Sequence, residues 1–176
     1  MDKIKGTFYW VTGLSGAGKT TIGKLLYQYL KKRKNNVIFF DGDEIRKVYQ
    51  TVDYSYEGRK QAMLMHERLC KELTDQGFDV VGCHIGMYKE CQDWAKENIP
   101  NYIGIYLKVS LDELIRMDSK GLYSKALNKE ITNVYGIDLP FDEPQNASVV
   151  IENDRKKSPE EVCKEIIEKI ESLKNN

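Results

Sequence analysis

The chain has 176 residues, and its 27 Lys and Arg are balanced by 27 Asp and Glu, giving a formal net charge of zero. That length predicts one domain, residues 1–176, with a sizeable core, and the neutral balance argues against a nucleic-acid polymer as partner. No run approaches the ~18 apolar residues of a spanning helix, and Met1-Asp2-Lys3-Ile4-Lys5-Gly6 lacks the apolar stretch of a secretion signal, so a soluble cytoplasmic protein with no membrane partner is expected.

Residues 6–12 read as a buried strand and 19–33 as an amphipathic helix that ends in Lys31-Lys32-Arg33-Lys34, cations suited to a helix C-terminus. Between them stands Gly13-Leu14-Ser15-Gly16-Ala17-Gly18-Lys19-Thr20. Strand, glycine loop and helix in that order form the context in which G-x-x-x-x-G-K-[ST] has a mechanism. Backbone N–H groups converge on phosphate oxygens, and the helix turns its positive end toward the same anion. Lys19 is expected to reach the β- and γ-phosphates, and the Thr20 hydroxyl to ligate Mg²⁺. This is a nucleoside-triphosphate site.

Asn35-Asn36 turns into a second strand, Val37–Phe40, which stops at Asp41-Gly42-Asp43, and a short helix follows through Arg46 and Val48. Two carboxylates opposite a phosphate loop can hold a Mg²⁺-bound water and orient a nucleophilic hydroxyl, the two tasks phosphoryl transfer requires. With Lys19, Asp41 and Asp43 are therefore the candidate catalytic residues, and Asp41 with Thr20 the candidate metal ligands. Read alone, the triplet is a turn with Asp43 as helix N-cap.

Residues 57–76 carry Ala62, Met63, Met65, Leu69 and Leu73 as a helical stripe closed by Gly77, and Val80–Cys83 is a third strand. A helix near 88–97 stops before Pro100, Tyr102–Val109 is a fourth strand, and Ser110 opens another helix. Residues 117–146 are polar and without a long period, as a functional lid is. Ala147–Ile151 makes a fifth strand, and Ser158-Pro159-Glu160-Glu161 starts the last helix. Strands alternating with helices predict a parallel sheet covered on both faces, with ligands beyond the carboxyl ends of its strands. Cys70, Cys83, Cys91 and Cys163 form no framework, and Cys83, His84 and Cys91 match no common zinc spacing.

The sequence resembles the adenosine 5′-phosphosulfate (APS) kinase family. The matches are the phosphate loop extended to Thr21, Asp41-Gly42-Asp43 with Arg46, Ser55 with Arg59, and Ile85 with Tyr88. Asp118-Ser119-Lys120-Gly121-Leu122-Tyr123 and Gly136-Ile137-Asp138-Leu139-Pro140 complete them, and together they run from residue 6 to about 155. The resemblance implies a three-layer P-loop kinase fold with a five-stranded parallel sheet and a lid. It also implies transfer of the ATP γ-phosphate to the 3′-hydroxyl of a nucleotide whose 5′ phosphate is modified, with Mg²⁺. By position, ATP falls to Gly13, Ser15, Gly16, Ala17, Gly18, Lys19, Thr20, Thr21 and Asn153. The acceptor falls to Asp43, Arg46, Tyr54, Arg59, Ile85, Lys120, Lys125 and Val134. Family kinases are often homodimers.

The chain departs from the family pattern at several positions. Gly86, Met87 and Lys89 replace Ser, Pro and Arg; Ala62 replaces Asn; Leu64-Met65 replaces an Arg pair; Val134 replaces a lid Phe, and Met117 an Arg. His84 stands where the family has an apolar residue, either as a new substrate contact or as a packed polar group. These changes are expected on the acceptor side, which favours the branch that resembles cytidine diphosphoramidate kinases, of capsular polysaccharide phosphoramidate synthesis, with APS kinase as the alternative. A GTP switch would carry Asn-Lys-x-Asp, which Asn128-Lys129-Glu130 does not match, and a non-catalytic binding module would have lost Lys19, Thr20 or Asp43.

Overall fold

The computed structural model describes residues 4–50, 53–118, 120–154 and 156–174. Met1–Lys3 and the lid residue Ser119 lie outside them. Five strands form one sheet: β1 (Phe8–Thr12), β2 (Val37–Asp41), β3 (Asp79–Cys83), β4 (Tyr102–Lys108) and β5 (Val149–Glu152). Their order is β2-β3-β1-β4-β5 and every pairing is parallel, as the alternating pattern requires. β1, β3 and most of β4 are buried on both faces, which is why they read as unbroken apolar runs rather than alternating ones.

Among the described residues seven helices connect and cover the strands: α1 (Lys19–Lys31), α2 (Gly42–Tyr49), α3 (Tyr56–Asp75), α4 (Lys89–Asn98), α5 (Leu111–Met117), α6 (Leu122–Leu127) and α7 (Pro159–Lys174). The expected caps form at two of them. Ser110 Oγ accepts from Glu113 N at 3.3 Å, and Ser158 Oγ accepts from Glu161 N at 3.2 Å while Glu161 Oε2 accepts from Ser158 N at 2.7 Å. At α2 the cap differs from the sequence reading. Asp41, not Asp43, is the N-cap, and its Oδ1 accepts from Asp43 N at 2.9 Å.

Two further differences bear on function. The stripe of α3 is rotated from the expected one. Met65 is exposed, and the buried face is Ala62, Met63, His66, Glu67, Cys70 and Thr74. The segment 117–146 contains α6, at six residues too short for its period to register. The segment is also packed: Tyr123, Ala126, Val134 and Tyr135 are buried.

Candidate active site

The carboxyl ends of β1, β2 and β3 release the chain into one cleft of about 650 Å³. Its walls carry Lys19, Thr20, Asp43, Arg46, Arg59 and Lys120 among others, so donor and acceptor candidates meet in one space. The loop that follows β1 is forced by backbone proximity. Gly13 has φ +148, and a Cβ there would stand 2.6 Å from the Leu107 carbonyl oxygen, a contact no side chain tolerates. Gly18, at φ +94, is the left-handed residue that turns the loop into α1.

Lys19 Nζ donates to the Leu14 carbonyl at 2.8 Å, which curls the side chain over the loop it belongs to. Burial pushes its ammonium down to about 8, the nearby Cys83 and Asp43 partly opposing the shift. The cost of keeping that charge dry falls when phosphate oxygens arrive. Thr20 Oγ1 donates to Asp41 Oδ2 beside it. These are hard oxygen donors of the kind Mg²⁺ takes, and a Mg²⁺ site leaves most of its positions to phosphates and water. Among the described residues no group of three His, Cys, Asp or Glu is arranged for a metal.

Asp43 is exposed at the first turn of α2. Arg46 Nη2 pairs with its Oδ1, and Lys120 Nζ from the lid stands 4.0 Å from its Oδ2. A carboxylate flanked by two cations in the same cleft as the phosphate loop can accept a hydrogen bond from a hydroxyl, and such cations can take phosphate oxygens. Arg59 is used differently. Its Nε donates to Tyr54 O at 2.9 Å and its Nη2 to Asn133 O at 2.8 Å, tying α3 to the lid. Its guanidinium carbon lies 5.3 Å from the Tyr54 ring centre and 5.1 Å from that of Tyr135. The segment 117–146 is tied to the phosphate loop as well, because Tyr123 Oη donates to Ser15 O at 2.9 Å.

Of the remaining sequence candidates, Ser15, Gly16, Gly18, Thr21, Ile85 and Val134 line the cleft, and Gly13 and Ala17 support the loop from below. Asn153 Nδ2 donates to Ala17 O at 3.4 Å, next to the loop. Tyr54, half exposed, reaches the cleft only through Arg59, and Lys125 is on the exposed side of α6. His84 borders the cleft, but both of its ring nitrogens are buried without a hydrogen-bond partner among the described residues. Asn133 and Tyr135 also line the cleft and were not singled out, because nothing local in their sequence marks them.

The departures from the family pattern take different places in the fold. Val134 lines the cleft. Ala62 and Met87 are buried, Leu64 packs against the core, and Met65 and Met117 are exposed. Lys89 pairs with Asp93 of its own helix. At position 86 the reason is steric: a Cβ would stand 1.9 Å from Trp10 Cζ2, so the large ring on β1 demands glycine.

The fold and its phosphate cradle define a P-loop kinase. The chain belongs to the adenylylsulphate kinase family, whose model matches residues 5–152. It is a phosphotransferase that acts on a hydroxyl acceptor of a nucleotide. The cytidine diphosphoramidate kinase of Campylobacter jejuni subsp. jejuni is 44% identical over 161 residues, 92% of this chain and 94% of that one. The adenylyl-sulfate kinase of Halothermothrix orenii is 33% identical over 172 residues, 97% of this chain and 92% of its own. Among solved structures, the Mycobacterium tuberculosis APS kinase CysC in complex with AMPPNP and APS superposes with a TM-score of 0.87 at 28% identity, covering 96% of this chain and 99% of its own. Shikimate kinase from Aquifex aeolicus, at 17% identity and a TM-score of 0.62, shares the fold.

Proposed function

We propose that the protein transfers the γ-phosphate of ATP to the 3′-hydroxyl of cytidine diphosphoramidate, a step toward the phosphoramidate of capsular polysaccharide. The observation that carries this reading is the 44% identity to the C. jejuni enzyme of that name, against 33% to the H. orenii adenylyl-sulfate kinase, each over more than nine-tenths of the chain. In this reading the chain works as one P-loop kinase domain, its lid at 117–146, in the cytoplasm and as a homodimer.

The chemistry asked of the residues is positioning and charge neutralisation. Lys19 leaves the Leu14 carbonyl for the β- and γ-phosphates. Thr20 and Asp41 would hold Mg²⁺, which would supply neutralisation of phosphate charge. Asp43 orients the 3′-hydroxyl and accepts its hydrogen bond. Arg46 and Arg59, with Lys120 from the lid, face the anionic 5′ end of the acceptor, whose tetrahedral phosphoramidate presents oxygens suited to guanidinium forks.

APS is the second reading, supported by the TM-score of 0.87 to a kinase holding APS. A side-by-side turnover assay with MgATP and equal concentrations of the two acceptors separates them. Faster 3′-phosphorylation of cytidine diphosphoramidate is expected; faster turnover of APS refutes the cytidine assignment. Light scattering on the eluting protein tests the dimer.

A further inference from the structure

On the α3 side of the sheet, directly behind the cleft, the chain buries both of its histidines. The ring of His84, just past β3, stacks among Phe8, Trp10 and Phe40, at centroid distances of 6.4, 5.3 and 6.4 Å. His66 of α3 meets the His84 ring edge-on at 5.3 Å. On its other side His66 lies nearly parallel to Tyr49, the last residue of α2, at 6.0 Å. The first residue of α2 rests on the same pair: a Cβ on Gly42 would stand 2.6 Å from His84 Cβ. Both ends of α2 therefore bear on a histidine.

Little else holds this helix. Gly42 is its one buried residue; Ile45 packs partly against the core, and Asp43, Glu44, Lys47 and Val48 are exposed. Yet α2 carries Asp43 and Arg46. We propose that His66 and His84 are positioning residues of the acceptor site, the His66 ring seating the Tyr49 end of α2 and the Cβ of His84 its Gly42 end, and so fixing where Asp43 and Arg46 stand. None of the four imidazole nitrogens has a hydrogen-bond partner among the described residues. At the Tyr49 end a ring face, not a hydrogen bond, makes the seat, and another flat ring at position 66 is able to replace it. Burial keeps both imidazoles neutral, with Arg46 adding to the effect on each.

The inference rests on reading Asp43 and Arg46 as acceptor ligands, and two readouts separate its failure from the failure of that reading. Hydrogen exchange of the amides of 42–49 is measured in wild type, His66→Ala, His66→Phe and Tyr49→Ala, and KM is measured for each substrate with whichever acceptor the wild type phosphorylates. His66→Ala is expected to speed exchange across α2 tenfold or more and to raise the acceptor KM tenfold, with the ATP KM within twofold. His66→Phe is expected to restore both. Tyr49→Ala breaks the same contact from the α2 side and decides the question if His66→Ala does not fold. Exchange across α2 within twofold of wild type in the alanine variants overturns the proposal, as does an equal rise in both KM values. If neither acceptor is phosphorylated, the function proposed above has failed, while the exchange data still judge the seat.

Discussion

Glu67 is completely buried on α3, and neither carboxylate oxygen has a hydrogen-bond partner among the described residues. Burial pushes its carboxyl from an ordinary 4.5 up to about 9, with Arg68 opposing only in part. The native state then keeps a proton that the unfolded chain loses above its ordinary value, so unfolding releases a proton throughout that window. Stability contributed by the protonated group is complete at low pH and falls as pH rises. The slope is 1.36 kcal/mol per unit, so the two units from about pH 5.5 to 7.5 remove about 3 kcal/mol. Glu67→Gln keeps shape and polarity but removes the titration. Urea unfolding of both proteins, followed by circular dichroism at several pH values, should show the variant gaining on wild type by that amount. The difference between them cancels the opposite trend from the histidines. Parallel curves would mean that Glu67 is charged in the fold, and the argument from burial would be wrong.

Other expectations concern the cleft. Lys19→Ala should lower kcat at least ~10²-fold with either acceptor, because it removes a charge from the transferring phosphoryl group; residual turnover above a tenth of wild type contradicts the assignment. Arg59→Lys cannot reproduce both Nε to Tyr54 and Nη2 to Asn133, so the acceptor KM should rise tenfold while the ATP KM holds; equal effects on the two would speak against it. Tyr123→Phe deletes the hydrogen bond to Ser15 O, worth ~1 kcal/mol, and should raise the ATP KM about fivefold. An unchanged value would separate the lid from the donor site. His66, held down to about 4 against an ordinary 6.5, should cost the fold about 3 kcal/mol as pH falls through that window. His66→Phe should reduce the acid loss by about that amount while His84 keeps its own share, and an undiminished loss would assign it elsewhere.

The sequence was most informative where chemistry is local. Gly13 to Thr20 sits between a strand and a helix, and Asp41 to Asp43 ends the next strand, so both could be read from neighbours within a few residues. The links that assemble the cleft are not local. Arg59 reaches Asn133 across 74 positions and Tyr123 reaches Ser15 across 108, and no periodicity encodes either. Polar groups in the core misled the reading of α3. His66 and Glu67 occupy buried positions that hydrophobicity assigns to the wrong side, so Met65 was expected inward. Gly86 departs from the family's Ser, and the clash a Cβ would make with Trp10 ties that departure to packing that no local pattern encodes.

Tyr123 and Arg59 pin one stretch of chain to two walls of the same cleft: to the phosphate loop and to α3, which the proposed function sets beside donor and acceptor. Such a stretch behaves as a tie-beam. Whatever occupies one bank fixes the beam's footing there and shortens the search of its other footing. The affinities of the two nucleotides are therefore expected to be coupled, each raising the other by the same factor, as reciprocity demands. Titrating a non-hydrolysable donor with and without acceptor measures that factor directly, and a factor of one would mean the beam is slack.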